Sequence, residues 1–181
     1  MIHEMDPTID LIIRAALGLL FVVAAWHKLR DPRRFAATLG EYRLVPARFA
    51  PAAAACVILV ELGAVVALLL WPRGGATAAA ALLAVYGFAI AVNLARGRRH
   101  IDCGCGGPAA RREISAWMVA RNAVVAIAAL AAAVLPVGTR ELIWLDACTI
   151  VAATAMLAAC WTATDHLVAQ APGLARLREA G

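Results

Sequence analysis

The chain has 181 residues, of which 64% are apolar and only 16% charged, with a mean hydropathy of +0.79. That composition excludes an ordinary soluble domain and points to an integral membrane protein. The net charge of +5 sits on loops too short for a nucleic-acid interface, so it reads as a topology signal with attraction to anionic headgroups.

The chain opens M-I-H-E-M-D-P-T-I-D, with three acids and no lysine or arginine. That is the wrong start for a cleaved signal peptide, so the first apolar run, 9–27, is expected to remain as a membrane span. Four more runs follow at 52–71, 76–95, 114–135 and 142–163. Each approaches the roughly 20 residues needed to cross a hydrocarbon core at about 1.5 Å per residue. The runs are continuous rather than alternating, and an open sheet leaves its backbone unsatisfied in lipid, which removes strands. Pro72 with Gly74 and Gly75, and Pro136 with Gly138, mark tight links between antiparallel neighbours. The expected fold is all-α: a polytopic transmembrane helical bundle of five spans, a four-helix core plus a fifth helix. Residues 1–181 then form a single integral membrane domain, with the lipid bilayer as its first partner.

Lysine and arginine orient such a bundle, because they collect on cytoplasmic loops. Lys28, Arg30, Arg33, Arg34, Arg43 and Arg48 follow the first span; Arg96, Arg98, Arg99, Arg111 and Arg112 follow the third; Arg176 and Arg178 lie in the tail. The opposite side holds only Arg73 and Arg140, while Arg14 and Arg121 fall inside spans. The count places the N-terminus outside and the C-terminus in the cytoplasm, in an inner (cell) membrane. Trp26, Trp117 and Trp161 lie toward the arginine-rich side and Trp71 and Trp144 toward the other, as interfacial belts do.

Between the third and fourth runs stands R-G-R-R-H-I-D-C-G-C-G-G, residues 96–107. Cys103 and Cys105 flank Gly104, on a backbone free to bend sharply. A disulfide between residues two apart is strained and therefore a labile oxidant rather than a staple. Arg98, Arg99 and the nearby helix start favour thiolate, and Asp102 opposes it. Three readings stay open: a redox dithiol, a metal site using His100 with both thiols, and two inert thiols in a glycine turn. The metal reading lacks a fourth ligand and the C-x-x-C pairs of structural zinc. Cys56, Cys148 and Cys160 lie within spans, where small core residues are the expected role; Cys56 and Cys160 are also candidate resolving thiols.

Ionisable groups inside a bilayer are costly and so become functional candidates. Glu61 sits near the middle of the second span, and Arg121 lies within about one helical turn of its depth. A Glu61–Arg121 pair is expected at the polar centre of the bundle, with Arg14 as the rival cation. Asn93 and Asn122 add amides to the same half. A structural clamp and a proton-carrying glutamate are both consistent with these residues. Lys28 fits a snorkelling anchor at the interface, and His27 and His166 lie at the same level.

These residues resemble the methylamine-utilisation accessory family MauE, within the DoxX-like redox-associated membrane proteins. The resemblance covers about residues 10–130. It runs through R-A-A-L-G-L-L-F-V-V-A-A-W-H-K-L-R-D-P-R-R-F (Arg14 to Phe35), E-Y-R-L-V-P (Glu41 to Pro46), Glu61, N-L-A-R-G-R-R-H-I-D-C-G-C-G-G (Asn93 to Gly107) and I-S-A-W-M-V-A-R-N (Ile114 to Asn122). Gly106 departs from the pattern, standing where the family often has an aromatic residue. The resemblance implies a bundle similar in outline to quinone-linked thiol oxidoreductases. It also implies a role in disulfide formation and maturation of the small subunit of a periplasmic methylamine dehydrogenase, beside a thioredoxin-like periplasmic partner. On that reading Cys103 and Cys105 exchange electrons, Glu61 and Arg121 form the polar centre, and a membrane quinone is the candidate cofactor. The compartments conflict, because the arginine count puts the cysteine loop in the cytoplasm; Cys148 is the lone candidate for the outer end of a relay. The alternatives are a non-enzymatic assembly or export factor, and a metal-handling protein using His100, Cys103 and Cys105.

Overall fold

The computed structural model describes residues 4–102 and 113–179. Among the described residues the regular elements are six α-helices, α1 (Pro7–Arg30), α2 (Pro32–Glu41), α3 (Ala50–Leu70), α4 (Pro72–Ala95), α5 (Ala116–Val134) and α6 (Trp144–Glu179), and a short 3-10 turn, Ala47–Phe49, that leads into α3. Five of them are long and apolar enough to cross a membrane, all but α2. Each coincides with an expected span to within about a turn at its ends, except that α6 continues well past 163.

Local chemistry sets the boundaries. Asp6 caps α1, its carboxylate accepting from Thr8 N at 2.8 Å, and Pro7 takes the first helical position, where a missing N–H costs nothing. His27, Lys28 and Arg30 lie in the last turn of α1, the end where the helix dipole favours cations. Asp31 ends α1 and at once caps α2, accepting from Arg34 N at 3.0 Å, with Pro32 next in line. Helix α2 lies in what the sequence alone presented as an arginine-rich loop. It buries Phe35 and Thr38 toward the bundle and exposes Arg33 and Glu41. Ten residues of mixed polarity are too few for a span and enough for an interfacial amphipathic helix.

The link expected at Pro72 to Gly75 is itself helical. Trp71 alone joins α3 to α4, and Gly75 packs so closely that an added Cβ would lie 2.3 Å from Leu68 N. A second turn, after α4, uses Gly97 at φ +73°, a conformation that side chains with a Cβ resist.

Helices α1, α3, α4 and α5 form the core. Leu17, Phe21, Leu68, Ala76, Ala79, Leu83, Ala129 and Ala132 interlock there, and the alanines let backbones approach closely where lipid supplies no hydrophobic drive. Helix α2 lies on α3, and α6 lies along α1. No residue of α6 between Trp144 and Leu167 is buried, which makes it the peripheral fifth helix.

Candidate functional site

The polar centre assembles from three core helices. Glu61 of α3 is fully buried, as is Lys28 of α1 at 3% exposure. Lys28 Nζ donates to Glu61 Oε1, and the same oxygen accepts from the Tyr86 hydroxyl of α4 at 2.6 Å. The ammonium also sits 5.1 Å from the ring centroids of both Tyr86 and Phe35, within cation–π range. Phe35 belongs to α2, so the interfacial helix forms the lid of the charge centre. Glu61 Oε2 is buried with no hydrogen-bond partner among the described residues.

This arrangement corrects the expected pairing. Glu61 is not bonded to Arg121 or to Arg14. Arg121 turns to α6, where Nη1 donates to Asp165 and the guanidinium lies 4.0 Å over the Trp161 ring. Arg14 binds Asp10 Oδ2 at 3.1 Å and the Leu68 carbonyl at 3.3 Å, capping the negative end of α3. Lys28 is not a snorkelling anchor but a buried counter-ion. Its assignment to the interface followed from its place among the arginines, and no local signal distinguishes it from them. Asp165, also missed, lies just beyond the expected end of the fifth span.

Asn93 is fully buried, donating to Ala89 O at 3.0 Å, and its Oδ1 has no partner among the described residues. Asn122 is buried against the close approach of Gly87. His27 Nδ1 is likewise buried without a described partner. Cys56, Cys148 and Cys160, expected in the core, are free thiols exposed on the outer faces of their helices.

Cys103 and Cys105 lie outside the described residues. Their flanks are firmly held. Ile114 N donates to Ile101 O at 3.1 Å, Asp102 and Glu113 form an isolated antiparallel bridge, and Arg34 reaches Asp102 at 3.3 Å. Ile101 and Ile114 bury themselves with Tyr42, Ile90 and Met118. This apolar plug separates the flanks of the loop from the polar centre, since Ile90 stands one helical turn along α4 from Tyr86. His100 is exposed and lies 2.8 Å from Glu113 Oε1; the two cysteines its metal site needs fall in the segment outside the described residues.

At the opposite end of the bundle, Arg140 grips Asp6 through Nε at 2.8 Å and Nη2 at 3.1 Å, and Asp146 through Nη1 at 2.9 Å and Nη2 at 2.8 Å. Hydrogen bonds from Arg140 and from Thr8 N hold the Asp6 carboxyl down to about 2. The carboxylates in turn, Asp146 foremost, push the guanidinium further up. The clip ties the start of α1 to the start of α6.

An apolar groove of about 840 Å³ runs between α2 and α3, walled by Ala36, Ala37, Gly40, Ala54, Ala55 and Ile58, with Arg33 at its edge. A quinone head wants donors at both carbonyl oxygens, and among the lining side chains only Arg33 carries one. The groove does not fit that cofactor.

The sequence model of one protein family, described as methylamine utilisation protein MauE, matches residues 6–135. The methylamine utilization protein MauE of Methylophilus methylotrophus is 34% identical over 166 residues, covering 90% of this chain and 87% of that protein. Its namesake from Paracoccus versutus is 42% identical over 144 residues, 76% and 77% of the two chains. That from Paracoccus denitrificans is 38% identical over 130 residues, 71% and 70%. No solved structure matches the chain.

Proposed function

Because this chain belongs to the methylamine utilisation protein MauE family, we propose that it is a membrane accessory protein of methylamine utilisation whose Cys103 and Cys105 act as an exchanging dithiol. The client is the disulfide-rich small subunit of a periplasmic methylamine dehydrogenase. In the oxidised form a client thiolate attacks the Cys103–Cys105 bond to give a mixed disulfide. A second client thiolate then displaces it, so the client gains one disulfide and the chain becomes a dithiol holding the two electrons. A thioredoxin-like partner in its disulfide form takes those electrons back and restores the pair.

The observation that carries this reading is the pinned base of the C-G-C segment: the Asp102–Glu113 bridge, with Ile101 and Ile114 buried beneath it. Cys103 and Cys105 stand only two residues apart in the sequence, which favours intramolecular closure over loss to bulk thiols. The Lys28–Glu61–Tyr86 centre lies beneath the plug and acts as a positioning group. It fixes α4, whose end carries the loop, against α1 and α3, and Arg121 with Asp165 joins α5, at the other end of the loop, to α6.

The test is to replace Cys103 and Cys105 by serine in a host that makes the dehydrogenase and to count free thiols in its small subunit. Unmatured client with exposed thiols is expected. Client matured normally would overturn the redox reading and leave a non-enzymatic assembly role. The inner membrane is the proposed location; the arginine count puts the cysteine end in the cytoplasm, whereas direct exchange with a periplasmic client needs it outside. An impermeant maleimide applied to each face of the membrane reads this out. Labelling from outside would reverse the orientation and bring the thiols to the client; labelling from inside would require a second thiol pair to complete the path outward.

A further inference from the structure

We infer that the groove between α2 and α3 is a binding site for one anionic phospholipid, with an acyl chain along the groove and the phosphate at Arg33. The walls come from two helices at matching helical spacing, Arg33, Ala36 and Gly40 on one side and Pro51, Ala54 and Ile58 on the other. Small side chains leave a channel of about 840 Å³, in the range of pockets that take small amphiphiles. With no hydrogen-bonding side chain along its length, the channel suits a hydrocarbon chain and rejects a peptide, nucleotide or sugar, whose polar groups would go unpaired.

Position and charge name the occupant. Helix α3 is long and apolar enough to cross a membrane, and the Arg33 end of the groove adjoins the close of α1. Arg30, stacked at 4.9 Å on the exposed ring of Trp26, marks that level, because tryptophan and arginine pair at membrane interfaces. Asp31, the nearest acid in the chain, is engaged as the cap of α2. Arg33 is exposed and makes no ion pair with any described residue, which leaves its planar donor fork open to a phosphate. An amphipathic helix seated on the interface is the usual carrier of such a contact.

The test uses the full chain, delipidated in detergent and then offered equal amounts of phosphatidylglycerol and phosphatidylcholine of the same chain length. Retained lipid is counted by native mass spectrometry. The wild type is expected to keep one phosphatidylglycerol with about fivefold preference, the effect of one arginine at an anionic surface. Arg33→Gln removes the preference. Ala55→Trp, at an exposed wall position, fills the groove and removes the retained lipid with the helical circular dichroism unchanged. Arg96→Gln, taking the same charge from the same end of the bundle away from the groove, leaves the preference intact. Equal retention of the two lipids by the wild type would overturn the inference, as would an Arg96→Gln loss equal to that of Arg33→Gln. So would a dimer dissociated by Ala55→Trp, which would make the occupant a second copy of the chain.

Discussion

Removing the Lys28 ammonium tests the centre of the bundle most directly. Lys28→Met keeps the length of the side chain but leaves Glu61, fully buried, with the Tyr86 hydroxyl as its remaining described donor. Breaking a buried ion pair by taking one partner costs about 3 to 5 kcal/mol, because a charge is stranded. The two cation–π contacts add to the loss, at about 0.5 to 2 kcal/mol each. Glu61→Gln strands the ammonium instead, although the amide still accepts from Tyr86, so a smaller loss is expected. The double variant buries no charge, so beyond the same two cation–π contacts it loses only about 1 kcal/mol, the worth of one ordinary hydrogen bond. The coupling energy should therefore approach the ~3 kcal/mol upper end seen for residues in contact. Equilibrium unfolding in bicelles, followed by circular dichroism, measures all four forms. Neutral interhelical hydrogen bonds in membranes average only about 0.6 kcal/mol, so a Lys28→Met loss of that size would refute a charged pair. Pairing Glu61→Gln with Arg121→Gln supplies the control: the two should add to within about 0.5 kcal/mol, and stronger coupling there than with Lys28 would restore the Glu61–Arg121 pair.

Two other outcomes follow from the ends of the bundle. The Asp6 carboxyl titrates near 2 instead of 3.8, so the native clip is favoured above pH ~4 and its contribution fades as the pH falls through 2. Hydrogen exchange at the start of α1 should stay slow down to pH ~3 and become fast at that pH in Arg140→Gln; identical protection in both proteins would dismiss the clip. Gly75→Ala places a methyl 2.3 Å from the Leu68 amide nitrogen, and overpacking of this kind costs about 1–3 kcal/mol. A melting temperature equal to that of the wild type would show that α3 and α4 separate without cost.

The five spans were legible in the sequence because continuous apolarity over a bilayer's thickness is a local property, present in each segment before any helix meets another. The family, too, could be read from contiguous residues, the C-G-C block above all. Depth was legible for the same reason: Glu61 does lie near the middle of its helix. Azimuth was not. Which way a side chain points around its helix depends on the rotation each helix adopts when all of them pack, and no segment carries that information alone. Tertiary packing turned Arg121 outward to Asp165 and Trp161, carried Lys28 from an apparent interface into the core under Phe35 and Tyr86, and left Cys56, Cys148 and Cys160 on outer faces. It also folded the arginine-rich segment after α1 into α2, whose apolar face becomes a helix face only when it has α3 to lie against. In lipid, an unpaired charge costs far more than a misplaced methyl group, so the buried ion pairs selected the helix rotations, and those rotations are what the chain alone does not spell out.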